Sequence, residues 1–200
     1  MVAATNYSAD WAKHFVHNAA SHLEPIAGQP LRCLEIGVFE GRSARWLFEN
    51  VLTHPACRYV GIDAWNWDGA EAKARANLAP FLDRTEFVIG ESRDVLCSAC
   101  WPQNSFDLVY IDGCHRALSV LTDSVLAWRL LKVGGVCIWD DYRWRSRFWK
   151  RKRKPRHLRP KEALDAFLMA VTGDYELLFK NYQVGVRKLS DPKSANEDAE

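Results

Sequence analysis

The sequence predicts an α/β fold: a doubly wound, mostly parallel sheet of seven strands, closed by an antiparallel hairpin at the C-terminus. Three observations carry that reading. Apolar runs of strand length alternate with helical patterns, and five of these runs end in Gly, Asp or Glu. The first, Leu34-Glu35-Ile36, runs straight into Gly37-Val38-Phe39-Glu40-Gly41-Arg42-Ser43, where two glycines four residues apart precede a helix. Strands separated by helices of this length need βαβ crossovers, which make neighbouring strands parallel. Open sheets of this kind bind ligands beyond the C-terminal ends of their strands.

Taken in order, Ala9 to Leu23, with Trp11, Phe15 and Val16, predicts a helix covering one face or edge of the sheet. Gly37 suits a tight turn that leaves bare backbone for a ligand, and Gly41 suits close packing of the next helix on the strand. The free N–H groups of that helix would face the ligand. The spacing matches neither G-x-G-x-x-G nor G-x-x-x-x-G-K-[ST]. The second strand, Cys57 to Asp63, ends in a carboxylate followed by Ala64, where a ribose would offer its hydroxyls. The third runs from Phe87 into Gly90-Glu91-Ser92, and the fourth, Phe106 to Ile111, into Asp112-Gly113-Cys114-His115. Leu118, Leu121, Val125, Trp128 and Leu131 recur at helical spacing, and Gly134-Gly135 is expected to stop that helix. The fifth strand, Val136 to Trp139, ends in Asp140-Asp141. Pro160 opens a helix with Leu164, Phe167, Leu168 and Val171 on one face. Tyr175 to Lys180 and Gln183 to Lys188 read as a hairpin with a two-residue turn at Asn181-Tyr182.

A chain of 200 residues with 48% hydrophobic content suits one domain, expected over 1–189. The first twenty residues hold no apolar leader core, and no run approaches the roughly 18 apolar residues of a membrane span. A cytoplasmic protein without a transmembrane segment is therefore expected. The six cysteines are scattered and read as reduced, and Cys97-Ser98-Ala99-Cys100, with no second C-x-x-C, reads as helix packing. The net charge of +2 hides an asymmetry: residues 143–161 take 11 of the 27 Lys and Arg and no acid, leaving 16 bases against 25 acids elsewhere. Such a block on an acidic body reads as a lid or docking insertion. Residues 190–200 read as a disordered acidic tail.

The segments Leu34-Glu35-Ile36-Gly37-x-Phe39-x-Gly41-x-Ser43, Gly90-Glu91-Ser92, Asp112-Gly113-Cys114-His115 and Gly134-Gly135-x-x-x-x-Asp140-Asp141-Tyr142 together resemble class I S-adenosylmethionine-dependent methyltransferases. The resemblance covers roughly residues 30 to 188. Within that class the segments are similar to the metal-dependent O-methyltransferase branch, of catechol, caffeoyl-CoA and macrolide-sugar type. The resemblance implies that Glu35, Gly37, Phe39 and Gly41 line the methionine end of S-adenosylmethionine and that Ser43 meets its carboxylate. It places Asp63 and Ala64 at the ribose, with Gly90, Ser92 and Asp112 completing the cofactor site. It assigns Asp112, Asp140 and Asp141 to a divalent cation such as Mg²⁺, and hard oxygen ligands from neighbouring strand ends suit that ion. Asp112 and His115 would be catalytic, the histidine standing where catechol-type enzymes carry a lysine and sugar-type enzymes a histidine. Asp140-Asp141 in place of Asp-Asn points to the sugar-type group, hence to a small hydroxylated acceptor, anionic or glycosylated, such as a sugar of a glycoconjugate or natural product.

Plainer readings stand beside these. Asp140 and Asp141 also suit solvated loop acids, His115 a helix start, Ser92 an N-cap and Glu35 a partner for nearby N–H groups. Trp65 and Trp67 suit either adenine stacking or surface cover. At the level of function, the alternatives are a nucleic-acid methyltransferase, suggested by Trp144, Phe148 and Trp149 among the cations, and a non-catalytic protein docking through its basic segment. Against the first, no (D/N)PP(Y/F)-like motif of base methylation is present. A homo-oligomer is compatible with all of these readings.

Overall fold

Alternation along the strands decides which side of the sheet each residue feeds. The computed structural model describes residues 5–8, 12–144, 155, 157 and 159–191. Within them run β1 (Arg32–Ile36), β2 (Arg58–Asp63), β3 (Thr85–Ile89), β4 (Phe106–Ile111), β5 (Leu131–Trp139), β6 (Tyr175–Lys180) and β7 (Val184–Lys188). They form one seven-stranded sheet in the order β3-β2-β1-β4-β5-β7-β6. All pairs are parallel except those made by β7 with β5 and β6.

Leu34, Ile36, Val60, Ile62, Val109, Ile111, Cys137 and Trp139 point to one face, where they pack with α4 (Ser92–Ser98), α5 (Ala117–Leu130) and α6 (Pro160–Ala170). Their neighbours Cys33, Tyr59, Leu108, Tyr110, Val136 and Ile138 point to the other, against α1 (Lys13–Leu23) and α2 (Arg42–Asn50). A short α3 (Ala70–Asn77) follows β2. Both faces of the central strands are thus covered, which is why these strands read as continuous apolar runs. Chain order reverses between β1 and β4, and this opens a crevice at their C-terminal ends.

Three expectations need correction. The α5 helix ends at Leu130, and Gly134-Gly135 lies inside β5 instead of stopping the helix. The β4–β5 register shifts between Phe106 and Leu108, and a Cβ on Gly135 would come within 3.0 Å of the Asp107 carbonyl oxygen, so the glycines serve a bulge. The hairpin turn has three residues, because Lys180 pairs with Val184 and leaves Asn181, Tyr182 and Gln183 outside the ladder. Cys97 and Cys100 are exposed and do not pack. Three expected features fall mainly outside the described residues: the start of the first helix at 9–11, most of the basic segment (145–154, 156 and 158) and the tail from 192 onward.

Candidate active site

The loop after β1 is shaped by what β4 and β2 bring against it. Gly37 adopts φ +91°, and a Cβ there would lie 2.2 Å from the backbone oxygen of Asp112. The bare backbone of Gly37 therefore meets the end of β4 directly. Gly41, at φ +75°, caps α2 and faces Ala74 in α3 and Leu78 just after it, not the strand. Between them Phe39 sits at φ +50°. Asp63, at the end of β2, holds this strained turn: its Oδ2 accepts the N–H groups of Val38 and Phe39, each at 2.8 Å, and its Oδ1 accepts that of Trp65 at 2.7 Å. Ala64 lies half-buried just beyond it. The Trp65 indole N–H donates to the Phe39 carbonyl at 2.8 Å, and exposed Trp67 meets the Phe39 ring edge-on.

Glu35 is sealed beneath the loop, accepting hydroxyl hydrogen bonds from Tyr59 at 2.6 Å and from Ser43. Burial pushes its carboxyl up from 4.5 to about 7, against the two hydroxyl donors and with help from the charge of Asp63. Between those values the folded chain holds a proton that the unfolded chain has lost, so Glu35 makes stability fall as pH rises from about 4.5 to about 7. Glu35→Gln is expected to flatten that slope in urea titrations at stepped pH. Glu40 is also buried, and accepts the Ser8 N–H and hydroxyl, each at 2.6 Å, and the Lys73 ammonium at 2.7 Å, tying the N-terminal stretch to the same loop.

Across the crevice, Ser92 is the first residue of α4, and its hydroxyl donates to Asp123 Oδ1 at 2.7 Å. The cap position belongs to Glu91, while Gly90 at φ +154° turns the chain out of β3. Asp123 is 1% exposed, and its Oδ2 is buried with no hydrogen-bond partner among the described residues. Burial raises its carboxyl to about 6.

At the ends of β4 and β5 the acids converge. One donor atom each from Asp112, His115 and Asp141 lies within 4.8 Å of the others. His115 Nε2 is 3.1 Å from Asp141 Oδ2, and its ring lies 4.8 Å from that of Trp144, where the basic segment begins. Asp140 stands beside this triple, not in it. Its Oδ2 accepts the Tyr110 hydroxyl at 2.5 Å and the Gln183 amide at 2.7 Å, and its Oδ1 accepts the Asp141 N–H at 2.6 Å. Tyr110 also reaches Asp112 Oδ2 at 3.2 Å, and the Tyr182 hydroxyl donates to Asp141 Oδ1 at 2.6 Å. Burial, then the charges of Asp140 and Asp141, hold the Asp112 carboxyl well above the usual range, and burial with the charge of Asp141 raises that of Asp140. Carboxylates so crowded ionise together only with a cation among them.

Glu35, Gly37, Asp63, Asp112, His115, Asp140 and Asp141, which the sequence places at the C-terminal edge of the sheet, lie there together. The sequence did not single out Tyr110, Asp123, Tyr182 or Gln183. Tyr110 looked like core, and the turn residues looked like a plain hairpin connection; only polar residues in a turn beside an acidic strand end could have signalled them.

Residues 34–142 match a family described as a methyltransferase domain. Among curated proteins, uncharacterized protein R132 of Acanthamoeba polyphaga mimivirus is 29% identical over 134 residues, which are 64% of this chain and 58% of that protein. The chain thus spans less than two thirds of that relative's length. A structure from Clostridium thermocellum described as an rRNA methylase superposes with TM-score 0.68 at 16% identity, covering 88% of this chain and 97% of that one. The O-methyltransferase TomG of Streptomyces achromogenes, solved with S-adenosylmethionine, gives 0.64 at 20% identity over 84% and 78%. MycE methyltransferase of the mycinamycin pathway, solved with Mg, S-adenosylhomocysteine and mycinamycin VI, gives 0.65 at 16% over 90% and 50%. Identities this low speak for the shared fold. The family match covers more than half of the sequence and includes both the glycine turn of β1 and the acid pair after β5, and by it this chain belongs to the methyltransferase-domain family.

Proposed function

We propose that the chain transfers the methyl group of S-adenosylmethionine to a hydroxyl of a small acceptor, with a divalent cation such as Mg²⁺ at the acidic cluster. The observation that carries this reading is the convergence of Asp112, His115 and Asp141 at the mouth of the crevice. The residues present fit both groups. The carboxylates of Asp112 and Asp141 make a partial donor set that leaves positions for substrate oxygens, as Mg²⁺ or Mn²⁺ binding requires, with the His115 imidazole at its edge. The orphaned Asp123 Oδ2, beside the hydroxyl that Ser92 contributes, gives the crevice a polar acceptor for the donor groups of a nucleoside. The relatives solved with S-adenosylmethionine or with Mg and S-adenosylhomocysteine support the choice of groups.

A cation at this cluster would lower the pKa of a coordinated hydroxyl and fix its direction. Asp112 and Asp141 would hold that cation, with Asp140 beside them. The contact of His115 Nε2 with Asp141 Oδ2 at 3.1 Å orients the ring, so that Nδ1 would be the nitrogen to take the acceptor's hydroxyl proton during methyl transfer. Glu35, Gly37, Phe39, Gly41 and Ser43 would shape the methionine end, Asp63 and Ala64 the ribose side, and Gly90 and Ser92 the adenine side. Because Asp63 also holds the turn at Val38 and Phe39, Asp63→Ala is expected to weaken S-adenosylhomocysteine by roughly 1–3 kcal/mol and to lower stability together. Calorimetry and urea unfolding on the same protein measure both. Absence of heat with S-adenosylmethionine and S-adenosylhomocysteine would overturn the reading.

A second reading, nucleic-acid methylation, draws on the eleven Lys and Arg at 143–161. Ionic strength separates the two, because contacts to many phosphates weaken steeply with salt while a small acceptor is held by few charges.

A further inference from the structure

Asn18, in the middle of α1, and Gln183, in the β6–β7 turn, are 4% and 0% exposed. Polar amides are sealed in this way only where hydrogen bonds satisfy them. Here the bonds form a chain from α1 to the acids. Asn18 Nδ2 donates to Gln183 Oε1 at 2.7 Å, and Gln183 Nε2 donates to Asp140 Oδ2 at 2.7 Å. The Gln183 backbone N–H donates to Asn181 Oδ1 at 3.0 Å, which leaves Asn181 Nδ2 to donate to Asn18 Oδ1 at 2.9 Å; the nitrogen of Asn18, which also reaches Asn181 Oδ1 at 3.2 Å, is therefore the end that faces Gln183. The two ends of an amide are alike in size and opposite in polarity, and the network alone decides which end points where. With its oxygen engaged by Asn18, Gln183 can present only N–H to Asp140. Asp140 then uses its other oxygen to accept the Asp141 N–H at 2.6 Å, which supports the left-handed turn of Asp141 at φ +58°. A parallel arm reaches the same residue: the His14 ring stacks on Tyr182 at 4.4 Å, and the Tyr182 hydroxyl holds Asp141.

We propose that α1 is part of the metal site, with Asn18 a positioning residue that acts through Gln183 and Asp140 to set the orientation of Asp141. The proposal rests on the metal reading above and deepens it. Without the Asn18 amide, Gln183 is free to rotate its carbonyl toward the carboxylate, which repels it, and the turn that carries Asp141 loses its fixed support. The link joins residues 165 positions apart, so no local pattern in the sequence shows it.

Calorimetric titration of the whole chain with Mn²⁺, in the presence of S-adenosylhomocysteine, tests it in wild type, Asn18→Leu, Gln183→Met and the double variant, with a melting curve for each. Each single variant is expected to weaken Mn²⁺ by roughly 10-fold, as outer partners of metal ligands do. The double variant should be no weaker than the worse single, because both act through one chain of bonds, and S-adenosylhomocysteine affinity should not change. A folded Asn18→Leu that binds Mn²⁺ like wild type, or losses that multiply in the double variant, would overturn the relay and leave the metal reading standing. Wild type that binds no Mn²⁺ would overturn both. Should Asn18→Leu melt below the titration temperature, Asn18→Ala takes its place.

Discussion

His115→Ala is expected to lower kcat by about 10²- to 10⁴-fold, the usual loss when a positioned general base is removed, with a much smaller change in acceptor KM. The split follows from geometry. His115 is held by Asp141 at 3.1 Å and flanked by Trp144, so its ring is oriented before any acceptor arrives. On the proposed reading, removing it takes away the proton acceptor and leaves the crevice intact. His115→Gln, which keeps a donor toward Asp141 but offers no basic nitrogen, should be nearly as slow. Steady-state rates over an acceptor series check this, and a loss confined to KM would reassign His115 to acceptor binding.

Gly37→Ala is expected to destabilise the fold by roughly 2–5 kcal/mol, combining the strain of a Cβ at positive φ with overpacking. The clash is with backbone: the new carbon would sit 2.2 Å from the Asp112 oxygen, which no side-chain rotation can relieve. Gly69→Ala is the control. It shares a positive φ of +76° but meets nothing within 4 Å, so only the conformational strain of about 1–2 kcal/mol remains. Urea unfolding of the two variants should separate the two contributions. Because Gly37 packs on the first residue after β4, the damaged variant should also lose cofactor affinity and metal affinity together.

Much of this was legible in the sequence, for physical reasons that differ along the chain. The central strands were readable because both of their faces are buried: Leu34, Ile36, Val109 and Ile111 feed one core while Cys33, Leu108 and Tyr110 feed the other, and only continuous apolar runs do both. The acids at the strand ends are readable because each stands directly after an apolar run. The α5–β5 junction departs from the sequence expectation because glycines usually end helices, whereas here Gly134 and Gly135 lie inside β5 and Gly135 approaches Asp107 at a bulge. The sequence places Gly37 and Asp63 where a ligand would lie, and the structure gives each a second task inside the loop itself. Tyr110, Gln183 and Asn18 escaped notice because their value lies in partners 30, 43 and 165 positions distant. Pairings of that range are set by topology, which local pattern does not encode.

Methyl transfer to a hydroxyl at a carboxylate-bound cation is tested most directly by following labelled methyl from S-adenosylmethionine into a panel of catechols, glycosides and RNA fragments, with Mg²⁺ and again with excess EDTA. Label should enter an oxygen of a small hydroxylated acceptor, vanish with EDTA, return when Mg²⁺ is restored, and be absent in Asp112→Asn under every condition. Label transferred at full rate in EDTA, or entering only RNA bases, would contradict it.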